Sequence, residues 1–285
     1  MKNVFLPALF CCISFLSFAQ SDKVALAEAA LAKNDFTGAY DLANAALQSP
    51  QSLDKNAIAK ASYIRGKAGV KMAYDAMLDG DEIAEKKYVD VPLQSYRDFQ
   101  KVINAGDETM KAMVTAEYNK LGNALLVAGT KYDGRFNDNT ETADSSLLDK
   151  AIENFSGSIE IFELTKKEKF KPYLFRGDVF FTKKKFNEAT ADYTKAFALF
   201  EGAPRDNPDF NIGDLGYRLA YMQVAVFNKK DVALQTLEKT RKLLDAEMQL
   251  AESKKDKLGE RYAECKTEYE YFKSELAELD AKLKK

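Results

Sequence analysis

The sequence of 285 residues contains no histidine and no tryptophan, and it has only 3 cysteines and 6 prolines. The absence of histidine excludes catalytic triads built on imidazole and every imidazole metal site. The chain also lacks a GxxxxGK[ST] phosphate loop, a GxGxxG turn and a GxSxG nucleophile turn. We therefore predict that the protein is not an enzyme and that it binds no cofactor and no metal.

An excess of charge of one sign is also missing. Lys and Arg total 42 against 44 Asp and Glu, which gives a net charge of −2. A protein that binds the phosphates of nucleic acid needs a basic surface. The near-balance of charge argues against nucleic acid as a partner.

The most apolar run of the chain lies at its N-terminus. Lys2 precedes an almost wholly apolar stretch over 4–18, and Ser17, Phe18 and Ala19 form a small-x-small cleavage motif. This stretch is shorter than the roughly 20 residues of a membrane-spanning helix. We predict a signal peptide over 1–19, with an uncleaved anchor as the alternative. The mature chain, without an integral membrane span, would then be periplasmic, associated with the outer membrane or secreted.

The cysteines are consistent with such a removed segment. Cys11 and Cys12 would leave with the signal peptide, so that Cys265 alone remains and no internal disulfide can form. A helical chain of this length can bury an adequate core without one.

The remaining sequence predicts helices only. Ala, Leu, Lys and Glu recur at about 3.6-residue spacing, and no run alternates as a strand would. Pro92 should begin a helical segment, because it lacks the N–H that a helix interior uses. Helices are predicted over 22–33, 36–48, 55–78, 82–104, 108–131, 146–165, 170–184, 186–201, 214–228, 231–252 and 256–284.

One stretch has a regular pattern of small and aromatic residues. From Tyr173 it reads YLFRGDVFFTKKKFNEATADYTKAFALFEGAP, in which Ala189 and Tyr193 stand at positions i+12 and i+16 relative to Gly177. Small residues let two antiparallel helices touch, and the aromatic rings fill the gaps beside them. The stretch resembles a tetratricopeptide repeat (TPR), including the Arg-Gly variant of its first helix. The resemblance implies an all-α, TPR-like α-solenoid of helical hairpins over 20–252.

Weaker copies of the pattern begin at four other positions. They are found at Ala27, Gly66, Gly122 and Gly216. The expected partners in the second helix are Ser95, Phe99 and Val102 for Gly66, and Ala151, Phe155 and Ser158 for Gly122.

Two of these units are longer than the clearest one. The offset from Gly66 to Ser95 equals that from Gly122 to Ala151, and both are more than twice the offset from Gly177 to Ala189. We therefore predict that the two units share an insertion of equal length, either a helical extension or a loop.

The C-terminal segment, 253–285, carries a heptad stripe. Its members are Leu258, Tyr262, Cys265, Tyr269, Phe272, Leu276, Leu279 and Leu283, in steps of 4 and 3. We predict a long helix that caps the last repeat, as solenoids require. The alternative is a dimeric coiled coil, so the chain is expected to be a monomer or a homodimer.

Candidate partner-binding residues follow from the resemblance. In TPR arrays the first helix of each hairpin lines a concave groove that binds peptides or proteins. Matching offsets place on this groove Lys60, Tyr63, Lys67, Lys71, Asn119, Asn123, Lys171, Leu174, Asp178, Tyr217 and Tyr221. This mixture suits hydrogen-bonded, partly ionic capture of an extended segment.

A second possible site is the segment over 132–145, which is rich in carboxylate and amide oxygens. Calcium prefers oxygen ligands, but the glycine that an EF-hand loop requires is missing, and Arg135 stands where a ligand would be needed. We expect an ordinary solvated loop there.

Together these features predict a non-catalytic scaffold or adaptor of the cell envelope that binds a partner protein or peptide. The N-terminal segment ending in Phe-Ala-Gln, the repeats and the lack of disulfides resemble exported repeat proteins of Bacteroidetes-type Gram-negative bacteria. The alternatives are a component of an outer-membrane assembly or glycan-uptake complex, and a homodimeric structural protein joined by its C-terminal helix.

Overall fold

A computed structural model describes residues 21–79, 87–138, 145–202 and 205–285, and within these ranges every regular element is a helix. The prediction of an all-α fold is thus confirmed. The chain divides into two compact units, Met1–Lys167 and Glu168–Lys285. The predicted signal peptide over 1–19 lies outside the described residues.

The first unit is built from helices joined mostly by short connections. They are α1 (residues 21–32), α2 (Phe36–Leu47), α3 (Lys55–Asp79), α4 (Val91–Ala105), α5 (Glu108–Asp138) and α6 (Ser145–Leu164), with one 3₁₀ turn at Pro50–Ser52. Helix α3 packs on α4 and α5 packs on α6, while α2 and α5 also contact α3. Successive hairpins therefore stack side by side within this unit.

A continuous core joins the hairpins of the first unit. Ala27 of α1, Ala43 of α2, Ile64 of α3, Phe99 of α4 and Leu121 of α5 belong to the same buried apolar cluster. Each hairpin buries the apolar face of its neighbour, as the repeat pattern predicts.

Local turn chemistry fixes where these helices begin and end. Asp35 caps α2, because its carboxylate accepts a hydrogen bond from the backbone N–H of Gly38 at 2.9 Å. Pro92 lies in the first turn of α4, as predicted. Gly106 ends α4 with a left-handed φ of 90°, a conformation that glycine adopts at no steric cost.

The α3/α4 hairpin has the predicted register. A Cβ atom on Gly66 would lie 2.5 Å from the ring of Phe99, and one on Gly69 would lie 2.6 Å from the hydroxyl of Ser95. The glycines thus let the two helices approach closely enough for the ring to lie against the backbone of α3.

The predicted register of the α5/α6 hairpin is wrong by about two helical turns. The ring of Phe155 lies against Gly129, and Gly122 instead faces Phe162. Ser158 still contacts Gly122, since its hydroxyl donates to the Gly122 carbonyl at 2.8 Å. Because α5 contains two glycines about two turns apart, the sequence offers two similar registers, and side-chain packing selects the second.

The second unit repeats the hairpin arrangement. Its helices are α7 (Phe170–Thr182), α8 (Phe186–Gly202), α9 (Asn211–Ala225), α10 (Lys230–Ser253), α11 (Lys255–Leu258) and α12 (Arg261–Lys284). Helix α7 packs on α8, α9 packs on α10, and α8 contacts α9. At the predicted close approach, a Cβ on Gly177 would lie 2.7 Å from the ring of Tyr193.

Part of the insertion in the α3/α4 hairpin is helical. Helix α3 continues from Gly66 to Asp79, whereas α7 ends soon after Gly177, at Thr182. Between α3 and α4, residues 80–86 lie outside the described residues and residues 87–88 are helical, whereas only 183–185 separate α7 from α8. The α5/α6 hairpin does not share an insertion of the same length, because Gly129 and Phe155 lie closer together in the sequence than Gly66 and Phe99.

The last helix caps the second unit. The predicted continuous helix over 256–284 is broken at Gly259, whose φ is 56°, into α11 and α12. Phe272 packs against Gly213 of α9, and Cys265, Leu276, Leu279 and Leu283 are buried. The heptad stripe therefore packs on α9 and α10 of its own chain.

The first half of the acidic segment over 132–145 is a continuation of α5. This helix ends at Asp138, beyond the predicted end at residue 131, and 139–144 lie outside the described residues. In the part of the chain that the structure describes, none of the helices combines the length and the apolar character needed to span a bilayer.

Candidate functional site: a lysine-rimmed groove in the first unit

A recess of the first unit lies between the first helices of three successive hairpins, α1, α3 and α5. It has a volume of about 590 Å³, within the usual range for a ligand site. Its lining residues are Glu28, Leu31, Ala32, Asn34, Phe36, Lys60, Tyr63, Ile64, Lys67, Lys71, Met110, Met113, Glu117 and Lys120. We call this recess the α1–α3–α5 groove.

Apolar side chains form much of the surface of this groove. Tyr63 and Ile64 of α3 belong to the buried core, and Leu31, Phe36 and Met110 pack against that core while remaining partly exposed. The Met113 side chain, also in the lining, is more exposed than these. An unbranched thioether adapts to irregular shapes, so the methionines provide a deformable apolar contact surface.

Lysines of α3 form the rim and bind carboxylates on both sides. Lys60 pairs with Glu28 of α1 at 2.6 Å, and Lys67 pairs with Glu117 of α5 at 3.4 Å. Two ion pairs therefore connect α3 to both neighbouring first helices across the groove.

The third α3 lysine that lines the groove, Lys71, has two partners. Its ammonium lies 2.5 Å from Asp75 and 5.6 Å from the ring centroid of Phe36. The cation thus combines an ion pair with a contact to an aromatic face of the groove.

Lys67 is the least exposed of the three α3 lysines that line the groove. Partial burial works against its charge, but the hydrogen bond to the Tyr63 hydroxyl at 3.3 Å and the nearby Glu117 carboxylate outweigh burial and raise the pKa of Lys67. The ammonium is consequently charged throughout the physiological pH range. Lys120, at the same rim, is exposed and has no ion-pair partner within the described ranges.

The structure brings together four of the predicted residues, Lys60, Tyr63, Lys67 and Lys71, in this groove. Asn119 and Asn123 lie on α5 but do not line it, and the Asn123 amide donates to the backbone carbonyl of Asn119 at 2.9 Å.

The sequence prediction missed the residues that α5 does contribute. Met110, Met113, Glu117 and Lys120 follow one another in steps of 3, 4 and 3, which places them on one face of the helix. This spacing is visible in the sequence, but offsets taken from Gly122 point to a neighbouring face of α5, the one that carries Asn119 and Asn123.

The remaining predicted residues lie in the second unit. Lys171 pairs with Asp209 at 2.9 Å beside a recess that Tyr271 and Phe272 also line. Leu174 is 1% exposed and belongs to the core of its hairpin. The prediction that Leu174 contacts a partner is therefore wrong for this structure, since its side chain faces the interior.

Tyr217 and Tyr221 form part of a separate recess of about 450 Å³ in the second unit. Their rings are parallel within 6°, with centroids 6.5 Å apart. The other lining residues are Phe181, Tyr193, Asp214 and Arg218.

Charged and hydroxyl groups at this second recess form a network with Asp178. Asp178 accepts a hydrogen bond from the Tyr193 hydroxyl at 2.8 Å and pairs with Arg218 at 3.3 Å, while Arg218 also binds Asp214 at 2.8 Å. Burial and the neighbouring Asp178 charge raise the pKa of Tyr193. Because these groups bind one another, Asp178, one of the predicted partner-binding residues, stabilises the contact between its own helix and its neighbours.

Among the residues that the structure describes, no group of three or more Cys, Asp or Glu side chains is arranged to hold a metal ion. The groove lining contains no buried nucleophile next to a base, and its charged groups are lysines and glutamates, most of them in ion pairs. Its chemistry is suited to non-covalent recognition.

No known family profile matches this chain, and no curated protein matches it significantly. Among solved structures, the assembly chaperone of RpL4 (Acl4), residues 1–338, is similar with a TM-score of 0.36 and 13% identity, covering 93% of this chain and 99% of that one. The TPR2AB domain of yeast Sti1 in complex with pHSP90 is similar with a TM-score of 0.29 and 15% identity, covering 88% and 98%. Both similarities are distant, and the hairpin assignment rests on contacts within this chain.

Proposed function

We propose that the protein is a non-catalytic scaffold that binds a segment of a partner protein in the α1–α3–α5 groove. The observation that carries this proposal is the meeting of three first helices around a recess of about 590 Å³ with apolar walls and a charged rim. Such a combination supplies apolar contact area together with polar groups that orient a bound chain.

Met113 is the side chain through which the proposal is best tested. It is 42% exposed and lines the groove, whereas Leu164, at the end of α6 in the same unit, is 60% exposed and does not line it. The two residues form a matched pair of exposed apolar side chains.

The experiment places a photo-crosslinking amino acid at residue 113 or at residue 164 of the full chain, expressed in its native host. We expect a specific protein adduct from position 113 and none from position 164. In parallel, Met113→Gln should weaken association with the crosslinked protein, and Leu164→Gln should not. Equal crosslinking from both positions, or an adduct that is insensitive to Met113→Gln, would contradict the proposal.

We also propose that the scaffold acts in the cell envelope. The support is the short apolar segment followed by the small-x-small motif at Ser17–Ala19. Mass spectrometry of the protein from fractionated cells should find a chain that begins at Gln20 in the periplasmic or outer-membrane fraction. A full-length chain in the cytoplasm would overturn this part of the proposal.

A further inference from the structure

The charge of the α1–α3–α5 groove differs in sign from that of the whole chain. Four lysines line it against two glutamates, whereas the chain carries a net charge of −2. Adding Asp75, the partner of Lys71, still leaves one positive charge in excess. A cleft with an excess of one sign attracts ligands of the opposite sign.

Two of the ion pairs at the rim, Lys60–Glu28 and Lys71–Asp75, can exchange partners at low cost because both members are exposed. The side chains of Lys60 and Glu28 are 45% and 54% exposed, and pairs of this exposure contribute only about 0–1 kcal/mol. A carboxylate from a bound chain can therefore replace Glu28 with little loss. Lys120 is unpaired in the described part of the chain, so it can bind a carboxylate without first losing another partner.

The spacing of the α3 lysines sets the length of the bound segment. Lys60, Lys67 and Lys71 lie along one helix, and the first and last are about 16 Å apart at roughly 1.5 Å of rise per residue. An extended chain covers the same distance in about five residues at roughly 3.3 Å each. Alternate side chains of such a segment would point toward the apolar walls and toward the rim.

From these observations we infer that the groove binds an extended acidic segment of its partner, in which apolar residues alternate with Asp or Glu over about five residues. This inference rests on the proposed function and specifies the chemistry of its partner. The carboxylates would contact Lys60, Lys71 and Lys120, and the apolar side chains would contact Met113 and Phe36.

The inference is tested with a phage-displayed library of random dodecapeptides selected on the full chain. Met113→Gln serves to identify peptides that bind in the groove. We expect those peptides to carry alternating apolar and acidic residues. Replacing their Asp and Glu by Asn and Gln in synthetic peptides should weaken binding about tenfold or more at low salt, and the difference should shrink as salt increases.

Charge reversal supplies the complementary test. Lys60→Glu and Lys120→Glu should each weaken the acidic peptides about fivefold or more, and the double variant should select basic peptides instead. Lys239→Glu is the control, because Lys239 is 61% exposed and lies in the second unit. Circular dichroism of each variant checks that the helices are intact.

The possible outcomes distinguish this inference from the proposed scaffold function on which it rests. Peptides whose binding depends on Met113 but which show no excess of acidic residues, or whose binding is unchanged by the lysine reversals, would contradict the acidic segment. The proposal of a scaffold that binds in this groove would still hold. If no selected peptide depends on Met113, both are overturned.

Discussion

Arg65 and Asp98 form a bidentate ion pair across the α3/α4 hairpin. Nε and Nη2 of Arg65 donate to the two carboxylate oxygens of Asp98 at 2.7 and 2.8 Å, and the Asp98 side chain is fully buried. Arg176 and Asp192 form the same pair through the same atoms across α7/α8, at 2.8 Å each. In both hairpins the arginine precedes the close-approach glycine and the aspartate precedes the ring that packs on it.

Removing one partner of the buried pair should be costly. Asp98→Ala leaves the Arg65 guanidinium largely buried without its carboxylate, and we expect a loss of about 3–5 kcal/mol. Asp192→Ala should cost less, because the Arg176 side chain is 20% exposed against 10% for Arg65. Urea unfolding followed by circular dichroism measures both. The double variant Arg65→Leu/Asp98→Leu should recover much of the loss, and equal destabilisation by the single and double variants would contradict this account.

The close-approach glycines should not tolerate a side chain. Gly177→Leu should disrupt the α7/α8 hairpin, because even a Cβ would lie 2.7 Å from the ring of Tyr193. The smaller change Gly66→Ala should cost about 1–3 kcal/mol by overpacking against Phe99.

Gly134 provides the matched control for these substitutions. It is also helical, but nothing lies within 4 Å of its Cβ position. Gly134→Ala should therefore stabilise the protein by about 0.5–1 kcal/mol through helix propensity. Thermal unfolding measures all three variants, and an unchanged melting temperature for Gly177→Leu would refute the hairpin alignment.

The capping of the second unit by α12 depends on Phe272. Its ring lies so close to Gly213 that a Cβ there would collide with it, whereas the neighbouring Tyr271 is 58% exposed. Phe272→Ala should destabilise the unit by about 2–4 kcal/mol, whereas Tyr271→Ala should cost less than about 1 kcal/mol. Hydrogen exchange over 261–284 measures detachment of the helix. Equal effects of the two substitutions would show that α12 is not held in this way.

Cys265 should be unreactive in the native protein. It is 2% exposed, and burial together with the nearby Glu268 charge raises the pKa of its thiol. The variant Cys11→Ser/Cys12→Ser isolates this thiol in the full chain. Labelling with iodoacetamide at pH 8 should be slow in buffer and rapid in guanidinium chloride. Rapid labelling of the folded protein would mean that α12 leaves the stripe exposed.

The register of a hairpin could be predicted from the sequence wherever one small residue and one aromatic ring allow a single pairing. This is the case for Gly177 with Tyr193 and for Gly66 with Phe99. The same reasoning failed for α5, since Gly122 and Gly129 lie on the same face and only the packing of whole side chains distinguishes them. A similar limit applies to the site. The α3 lysines could be predicted from one helix, but the contributions of Glu28 and Met113 depend on how neighbouring hairpins pack, which no single repeat encodes.

Alkaline pH should destabilise the second unit through Tyr193. Burial, assisted by the Asp178 charge, raises the pKa of this hydroxyl in the folded state, while the unfolded value stays near about 10. Below this pH both states are protonated and the stabilisation is complete. Above it only the unfolded state loses the proton, so the free energy of unfolding should fall by up to about 1.4 kcal/mol per pH unit until the folded group ionises.

Tyr193→Phe tests the origin of this slope. It should lower stability at pH 8 by about 1 kcal/mol, because the hydrogen bond to Asp178 is lost, and it should make the decline between pH 10 and 11.5 less steep. Tyr271→Phe, at an exposed position, should change neither value. Urea midpoints across this range, with ultraviolet absorbance to follow tyrosine ionisation, provide the measurement. A slope as steep in Tyr193→Phe as in the unsubstituted protein would assign the alkaline transition to other groups, because the substitution removes the only proton that this hydroxyl can lose.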